Sequence, residues 1–367
     1  MLELNTSKKK SDIRVVVAMS GGVDSSVVAA LMKEEGYDVI GITLQLYDLG
    51  FDLEKKGACC AGKDIYDAKE VADKLAIPHY VLNYESLFKQ SVIDDFVDSY
   101  VRGETPIPCV KCNQTVKFRD LYKMAKDLNA DALVTGHYVR RLNGQAGPQL
   151  FKGIDVNKDQ SYFLFATTKN QLDFLHFPLG SFTKEETRNL ARKYQLPVSD
   201  KPDSQDICFV PNGKYSEVIE KYRPGALDPG EVVDPNGKVL GYHSGIVNYT
   251  IGQRKGLGIS SADPLYVYKI EPQTKRVYIG PESLLENNFF VINDLNWLGE
   301  DDFTQKEVEV KTRYRQQPVA AIIKRRDGQS AEITLKESIK AVTPGQACVI
   351  YNKDQLLGGG WISREII

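Results

Sequence analysis

The stretch that decides the fold is RVVVAMSGGVDSSVVAALMKEEG, residues Arg14–Gly36. Its first six residues are mostly β-branched and apolar, which is typical of a buried strand in a parallel sheet. After Asp24 the apolar residues return at helical spacing, and Gly36 stands where a glycine commonly follows the end of a helix. The stretch therefore predicts a strand, a tight turn and a helix, the context in which backbone N–H groups bind phosphate.

Strands and helices continue to alternate through roughly the first 200 residues. YDVIGITLQLYD and HYVLNY are typical of strands, and DIYDAKEVADKLAI is typical of an amphipathic helix. From about Lys214 the chain changes to turns rich in Gly, Pro and Asn, with short strands such as KRVYIG and QACVIYN between them. We predict an α/β fold class. A doubly wound parallel-sheet catalytic domain would span residues 1–212, a small central linking domain 213–280, and a C-terminal β-barrel 281–367.

The composition is that of an ordinary globular protein, with 42% hydrophobic residues, 26% charged residues and a formal net charge of −2. A nucleic-acid partner would therefore need a local basic patch. The N-terminus lacks a signal-peptide pattern, and no apolar run reaches the roughly 18 residues of a membrane span. We expect a cytoplasmic protein with no membrane partner, whose six cysteines are reduced.

The SGGVDSS turn differs from the common phosphate-binding motifs. It matches neither GxxxxGK[ST] nor GxGxxG, so it predicts neither a Walker NTPase nor a dinucleotide-binding fold. Its glycines would let the backbone approach an anion, and Ser20, Ser25 and Ser26 could donate further hydrogen bonds. Asp24 could hold Mg²⁺ on a pyrophosphate. The alternative is a serine-capped helix after a tight turn, but the position directly after the first strand favours nucleotide binding.

Cysteines after two turns are candidates for catalysis. Cys112, in CVKC, precedes the helix predicted from VKFRDLYKMAKDL, and a helix N-terminus stabilises a nearby thiolate. Cys208 follows another turn at the end of the α/β region. The two thiols could meet over a nucleotide bound at the carboxyl ends of the strands.

Other interpretations of the cysteines stay open. Cys348, in QACVIYN, is typical of a small buried hydrophobic residue. A zinc site could use four cysteines, and an iron–sulfur cluster could use three of the same four. These four are Cys59, Cys60, Cys109 and Cys112.

Long motifs along the chain resemble one enzyme family. SGGVDSS resembles the pyrophosphate loop of the ATP pyrophosphatase superfamily. Together with TPIPCVKCNQTVKF, TGHY, KDQSYFL, DSQDICFV, YTIGQRKGLG and KTRYRQ, it resembles the bacterial tRNA-uridine 2-sulfurtransferases in the order of the motifs and over nearly the whole chain. The resemblance implies ATP-dependent 2-thiolation of the wobble uridine of tRNA.

That reaction would use ATP with Mg²⁺ and no permanent cofactor. ATP would adenylate the uracil C2 oxygen, which is otherwise a very poor leaving group. The resemblance assigns ATP binding to ten residues: Ala18, Met19, Ser20, Gly21, Gly22, Val23, Asp24, Ser25, Leu44 and Gly136. No stable metal site is implied.

The resemblance also divides the sulfur chemistry between two cysteines. Cys112 would be the nucleophile and Cys208 would carry the persulfide, and turnover would leave a transient Cys112–Cys208 disulfide. Cys112 would either attack the inner sulfur or help to release sulfide. An upstream persulfide donor protein and a cellular reductant are implied as partners.

The expected RNA partner is tRNA for Lys, Glu and Gln. The family commonly has Asn-Pro-Asp at the target-base contact, which falls here on Ile107, Pro108 and Cys109. The tRNA contacts would be Lys158, Asp159, Gln160, Arg313 and Tyr314. On a strand, KTRYRQ would place both arginines on one face. Seven basic and two acidic residues between Lys306 and Arg326 predict a local positive patch.

Two other functions stay possible on the residues alone. One is a small-molecule synthetase of the same superfamily, which would need neither the paired cysteines nor RNA. The other is an RNA-binding module with a zinc or iron–sulfur site and a degenerate nucleotide loop.

Overall fold

The computed structural model of the chain describes residues 4, 7–47, 61–203, 207–210, 213–326 and 328–365. The described N-terminal strands are β1 (Arg14–Ala18), β2 (Asp38–Gln45), β3 (His79–Asn83), β4 (Ala132–Val134), β5 (Val139–Gly144), β6 (Gly147–Lys152) and β7 (Leu175–His176). Five of them form a parallel sheet in the order β3-β2-β1-β4-β7. The order reverses beside β1, and ligands bind at such a switch point in open α/β sheets.

Helices cover both faces of this sheet. They are α1 (Val23–Glu34), α2 (Ala61–Leu75), α3 (Glu85–Phe88), α4 (Asp94–Val101), α5 (Pro108–Lys111), α6 (Tyr122–Asp127), α7 (Lys169–Leu172) and α8 (Lys184–Lys193). A π-helical segment, Lys89–Ile93, joins α3 to α4, and another, Cys112–Leu121, joins α5 to α6. A capping box between Thr183 and Glu186 starts α8, whereas Gly36 follows α1 with a φ of +87°.

Side chains of β1 alternate between two cores, as the period of two along a strand requires. Val15 and Val17 are fully buried in the core shared with α1 and α2, and Val16 lies in the core on the opposite face. This arrangement explains why the sequence of β1 is a continuous apolar run.

The middle part of the chain is a small sheet with one helix. It contains α9 (Tyr215–Tyr222), β8 (Gly230–Val233), β9 (Val239–His243), β10 (Tyr266–Glu271) and β11 (Arg276–Gly280), and the strand order is β10-β11-β8-β9. Its apolar residues share one core with α4 and Cys112 of the N-terminal part. The middle part therefore packs directly against the helix that carries this thiol.

The C-terminal part is a closed six-stranded barrel. Its strands are β12 (Glu286–Trp297), β13 (Gln305–Lys311), β14 (Val319–Arg325), β15 (Ala331–Lys340), β16 (Ala347–Asn352) and β17 (Gln355–Ile362). They follow the order β12-β15-β14-β13-β16-β17, and β17 pairs back with β12. The predicted fold class is confirmed in all three parts.

Two local features differ from the expectation. The hairpin β5–β6 belongs to the barrel sheet, where Leu150 pairs with Leu356, although it lies within the α/β region of the sequence. The strand predicted through KTRYRQ is wrong at its end, because β13 stops at Lys311. Thr312 donates its backbone N–H to the Gln316 side chain, and Gln316 donates to the Arg313 carbonyl, which closes a turn. In the described residues no helix is long and apolar enough to cross a membrane.

Candidate active site

The glycine loop between β1 and α1 is closed by its own hydrogen bonds. Ser25 Oγ accepts the Ser20 N–H at 3.1 Å and lies 3.3 Å from the Gly22 carbonyl. Ser26 Oγ donates to the same carbonyl at 2.8 Å and is fully buried. The Ser26 hydroxyl is therefore used within the loop in this conformation, and its donation to phosphate stays a prediction. Ser20 is exposed and keeps its hydroxyl at the surface of the loop.

Two close backbone approaches fix the position of the loop. Gly21 has a φ of +72°, and a Cβ built there would lie 2.1 Å from the Asp64 carbonyl oxygen on α2. A Cβ on Gly136, which follows β4, would lie 2.9 Å from the Ser25 nitrogen. Glycine is thus required at both positions by packing, and Gly136 lies directly against the start of α1.

The remaining proposed ATP residues lie at the carboxyl ends of neighbouring strands. Ala18 is the last residue of β1, and Met19 donates its backbone N–H to Ile42 of β2 at 2.8 Å. Leu44, near the end of β2, is partly buried and packs against two cores, including the one that holds Cys112. Val23 is the first residue of α1 and is buried. The structure brings these residues together at the switch point of the sheet.

Asp24, in the first turn of α1, is held by two side chains from later in the chain. Lys184 Nζ lies 2.7 and 2.9 Å from its two carboxylate oxygens, and the Tyr138 hydroxyl donates to Oδ1 at 2.9 Å. The sequence did not reveal either partner, because no spacing rule connects residues so far apart. The carboxylate is part of an ion pair in this conformation, and Mg²⁺ would have to share it with Lys184.

Cys112 lies inside a helix. The expectation that it precedes the helix N-terminus is wrong, because the helix starts at Pro108, a residue type favoured at the first helical position. Cys112 is buried, and this desolvation raises the pKa of its thiol. Dipole stabilisation falls off within the first turn of a helix. Cys109, in that first turn, is the cysteine nearer the N-terminus.

Cys208 lies in a turn closed by a hydrogen bond from Val210 N–H to the Ile207 carbonyl. The residue is exposed, yet desolvation of its thiol, with smaller contributions from Cys112 and Cys109, raises the pKa to about 12. Phe209 and Val210 pack into the same core as Cys112. The three thiols therefore share one electrostatic environment, and all three are free.

Lys117 is the cation common to these thiols. Its charge lowers the pKa of Cys109, Cys112 and Cys208, against the larger effect of desolvation. It is half-buried, five residues after Cys112 in the π-helical segment. Lys117 makes no ion pair with any described residue. The sequence analysis missed this residue.

The metal alternative finds no support in the part of the chain that the structure describes. Within it, no group of three or more His, Cys, Asp or Glu side chains could hold a metal ion. Cys59 and Cys60 lie outside the described residues, so the four-cysteine alternative is not tested.

Comparison with known proteins supports the same family over the whole chain. The family model described as tRNA methyl transferase HUP domain matches residues 13–212, the tRNA methyl transferase PRC-barrel domain matches 216–281, and the Aminomethyltransferase beta-barrel domain matches 287–362. The tRNA-specific 2-thiouridylase MnmA of Rickettsia bellii is 61% identical over 366 residues, 99% of each chain. That of Rhodospirillum centenum is 58% identical over 372 residues, 99% of this chain and 95% of the relative.

The chain belongs to the tRNA-specific 2-thiouridylase family. The descriptions of two matching models name a methyl transferase, but these two relatives match at about 60% identity from end to end and are both named thiouridylases. Among solved structures, NMN synthetase from Francisella tularensis matches with a TM-score of 0.35 and 17% identity, covering 58% of this chain and 77% of that one. A likeness of this size supports no conclusion about the chain.

The segment predicted to contact the target base starts the helix of Cys112. Ile107 is partly buried against the core and Pro108 is buried, whereas Cys109 is exposed. Desolvation raises the pKa of the Cys109 thiol. Cys109 would therefore present a neutral thiol at the position where the resemblance leads us to expect a carboxylate.

The KDQ segment, residues Lys158–Gln160, is held in place by hydrogen bonds and an ion pair within the chain. Asp159 is buried, and its two oxygens accept from Gly153 N–H, Ser161 N–H and Ser161 Oγ at 2.8 to 3.1 Å. Gln160 Oε1 accepts the Tyr138 N–H at 2.9 Å. Lys158 pairs with Asp203 at 2.7 Å and keeps 38% of its side chain exposed.

The barrel turn after β13 meets the KDQ segment. The ring of Tyr314 lies 4.6 Å from that of Phe163, so the two predicted sets of RNA contacts lie side by side. Arg313 Nη2 donates to the Ala341 carbonyl at 2.9 Å and to the Ile251 carbonyl of the middle part at 3.3 Å. It lines a cleft of about 380 Å³ where the three parts of the chain meet.

The predicted positive patch is smaller than the sequence indicates, because carboxylates pair with four of its seven cations. The pairs are Lys306–Asp301, Lys324–Glu332, Arg325–Asp302 and Arg326–Glu332. Lys311 is buried. The exposed cations that remain are Arg313 and Arg315, both in the turn.

Proposed function

We propose that this protein uses ATP to replace the C2 oxygen of the wobble uridine of tRNA with sulfur. The observation that carries the proposal is that the chain leading to the sulfur-transfer cysteine contacts the nucleotide-binding loop. Lys201 donates to the Gly21 carbonyl of the glycine loop at 2.9 Å, and the persulfide candidate Cys208 follows seven positions later. Cys208 interacts electrostatically with Cys112, and Phe209 and Val210, which follow it, pack into the same core as Cys112. Membership of the thiouridylase family supports the same substrate.

In the first step, the C2 oxygen attacks the α-phosphorus of ATP. The bond from that phosphorus to the bridging oxygen breaks, and pyrophosphate leaves with its electron pair. Helix α1 directs its first backbone N–H groups to the loop, where they would hold the departing anion. Asp24 would hold Mg²⁺ on the phosphates, and Leu44 and Gly136 would lie beside the adenine. The product is uridine adenylated on O2.

In the second step, the terminal sulfur of a Cys208 persulfide attacks C2, and AMP leaves as the C2–O bond breaks. Cys112 then attacks the Sγ of Cys208, and the electron pair of the broken S–S bond stays on the sulfur attached to C2. This yields 2-thiouridine and a Cys112–Cys208 disulfide. A reductant supplies two electrons to restore the thiols, and a donor protein reloads Cys208.

The high thiol pKa values fit this order. Desolvation keeps the thiols of Cys112 and Cys208 protonated at neutral pH. They are therefore protected from side reactions of the thiolate before substrate arrives. A persulfide is more acidic than its parent thiol, so the loaded Cys208 would ionise more readily. Lys117 would stabilise the negative charge on sulfur during transfer.

The RNA would bind on the surface that extends from Lys158 to Arg313 and Tyr314. A base of a single-stranded loop must be turned out of its stack before it can be modified. Ile107, Pro108 and Cys109 would contact that base, Asp159 and Gln160 would position the segment, and Arg313 and Tyr314 would contact the tRNA from the barrel side. We assign catalysis to residues 1–212, linkage to 213–280 and tRNA contact to 281–367, with tRNA for Lys, Glu and Gln as the cytoplasmic substrates.

The proposal is tested by incubating the protein with unmodified tRNA, Mg-ATP and a persulfide donor and measuring 2-thiouridine by mass spectrometry. The wild type should form product, whereas Cys112→Ser and Cys208→Ser should each fall at least about a thousandfold, since each removes a reacting sulfur. Cys348→Ala, which removes a buried thiol outside this cluster, is the matched control and should stay active.

A wild type that consumes ATP and thiolates no tRNA would contradict the proposal and favour the small-molecule synthetase. Full activity of Cys112→Ser with the persulfide donor would contradict the two-thiol scheme while leaving the tRNA substrate in place.

A further inference from the structure

The Asp203 carboxylate joins three cations of the N-terminal domain, two from helix α8 and one from the segment that precedes it in sequence. Oδ1 accepts from Lys184 Nζ at 2.9 Å and from Arg188 Nη2 at 2.8 Å, and Oδ2 accepts from Lys158 Nζ at 2.7 Å. Desolvation opposes its ionisation, but the hydrogen bonds from Lys158 and Lys184 prevail and lower the pKa of Asp203 to about 2. The carboxylate is therefore ionised throughout the neutral range.

Lys184 is shared between Asp203 and the nucleotide loop. Its Nζ also lies 2.7 and 2.9 Å from the two oxygens of Asp24, and its side chain is only 12% exposed. A largely buried ammonium between two carboxylates fixes the distance between them. If the ammonium left either carboxylate, the site would not supply water to replace the lost contact, so the separation is unfavourable. The position of Asp203 is thus set by the first turn of α1.

A second contact with the same loop comes from Lys201, two residues before Asp203. Lys201 Nζ donates to the Gly21 carbonyl at 2.9 Å and to Asp64 Oδ1 at 2.7 Å. The chain from Lys201 to Asp203 therefore meets the loop at Gly21 directly and at Asp24 through Lys184. Cys208 follows Asp203 by five positions.

We propose that Asp203 is a positioning residue for Cys208, which anchors the segment that carries this thiol to the nucleotide loop through Lys184. The inference rests on the proposed function. When the charge of Asp203 is lost, Lys184 keeps both of its contacts with Asp24, so the loop keeps its partner. The chain that leads to Cys208 then loses one of its two anchors to the loop and keeps only the one at Lys201. Adenylation and sulfur delivery should therefore separate in an Asp203 variant.

The test compares two sulfur sources at saturating tRNA and Mg-ATP, with 2-thiouridine measured by mass spectrometry. A persulfide donor delivers sulfur through Cys208, whereas sodium sulfide can displace AMP without that thiol. Asp203→Asn should lower the rate with the persulfide donor by about tenfold or more, since small misplacements of a reacting group cost that much. Its rate with sulfide should stay within about threefold of the wild type. Asp203→Glu keeps the charge and should recover part of the loss.

Two variants serve as references. Asp200→Asn removes a neighbouring carboxylate that is 88% exposed and 4.0 Å from Arg192, and it should leave both rates unchanged. Cys208→Ser should lose only the persulfide-dependent rate. Its loss is therefore the largest that an Asp203 variant can show with the persulfide donor.

Equal losses with both sulfur sources in Asp203→Asn would overturn the inference, because the carboxylate would then support the fold or the nucleotide site in general. Unchanged rates with both would overturn it as well. If Asp203→Asn does not fold in a thermal melt, Asp203→Glu is judged by the same ratio of rates. A wild type that makes no 2-thiouridine from either source would instead refute the proposed function.

Discussion

The glycine loop and the thiol pair are built in opposite ways. The loop is closed by hydrogen bonds among Ser20, Gly22, Ser25 and Ser26, all within a few residues of one another. The thiols come from distant segments, and their shared environment depends on a core that also includes the middle domain. A local motif can therefore specify the first site, whereas only the assembled fold specifies the second.

The two regions also differ in how they handle charge. The loop presents backbone N–H groups whose polarity is fixed by the helix and does not titrate. The reactivity of Cys112 and Cys208 depends on desolvation of the thiols, which raises both pKa values, and on Lys117, which opposes that rise. Changes in the loop should act mainly on stability and nucleotide binding, and changes near the thiols should act on reactivity.

The largest expected effect is at Gly21. Gly21→Ala places a Cβ 2.1 Å from the Asp64 carbonyl at a φ of +72°, and we expect it to lower the free energy of unfolding by about 3 kcal/mol or more. Gly22→Ala is the matched control, since its Cβ would meet nothing closer than 3.7 Å, and it should cost less than about 1 kcal/mol. Urea unfolding measures both. Similar losses in the two variants would show that the loop is not fixed by this contact.

A smaller effect is expected at Lys117. An alkylating reagent attacks the thiolate, so raising the pKa of Cys112 moves its reaction to higher pH and slows it at pH 8. Lys117→Met removes a charge that lowers this pKa, and it should slow alkylation of Cys112 about threefold at pH 8, with the difference vanishing as the thiol becomes fully ionised. Peptide mass spectrometry follows Cys112, and the buried Cys348 is the internal control. An unchanged rate in Lys117→Met would remove this lysine from the account of the thiols.

The smallest effects are expected in the barrel turn. Arg313, like the loop, is held by hydrogen bonds within the chain, whereas Arg315 is exposed and forms no ion pair with the described residues. Arg313→Ala and Arg315→Ala should each weaken tRNA binding and reduce its salt dependence by about one counterion. Only Arg313→Ala should also cost about 1 kcal/mol of stability. Filter binding at several salt concentrations and urea unfolding test this, and unchanged tRNA affinity in both variants would move the RNA contact elsewhere.

The sequence predicted the fold class and the position of the loop well, because both depend on local periodicity and on glycine conformation. It failed for Cys112, since nothing in CVKC shows that the helix begins at Pro108 and that the thiol is buried. It also missed Lys184 and Lys201, whose partners in the glycine loop lie more than a hundred positions away. Ionic partners carry no periodic signal, so only the folded chain shows them.

The most direct test of the central claim is pyrophosphate release by Cys208→Ser in a single turnover, with Mg-ATP and with or without unmodified tRNA. If the loop activates the uridine before and without the sulfur of Cys208, pyrophosphate release should depend on tRNA and proceed at close to the wild-type rate. No 2-thiouridine should form. Pyrophosphate release that requires Cys208, or that proceeds equally well without tRNA, would contradict the central claim.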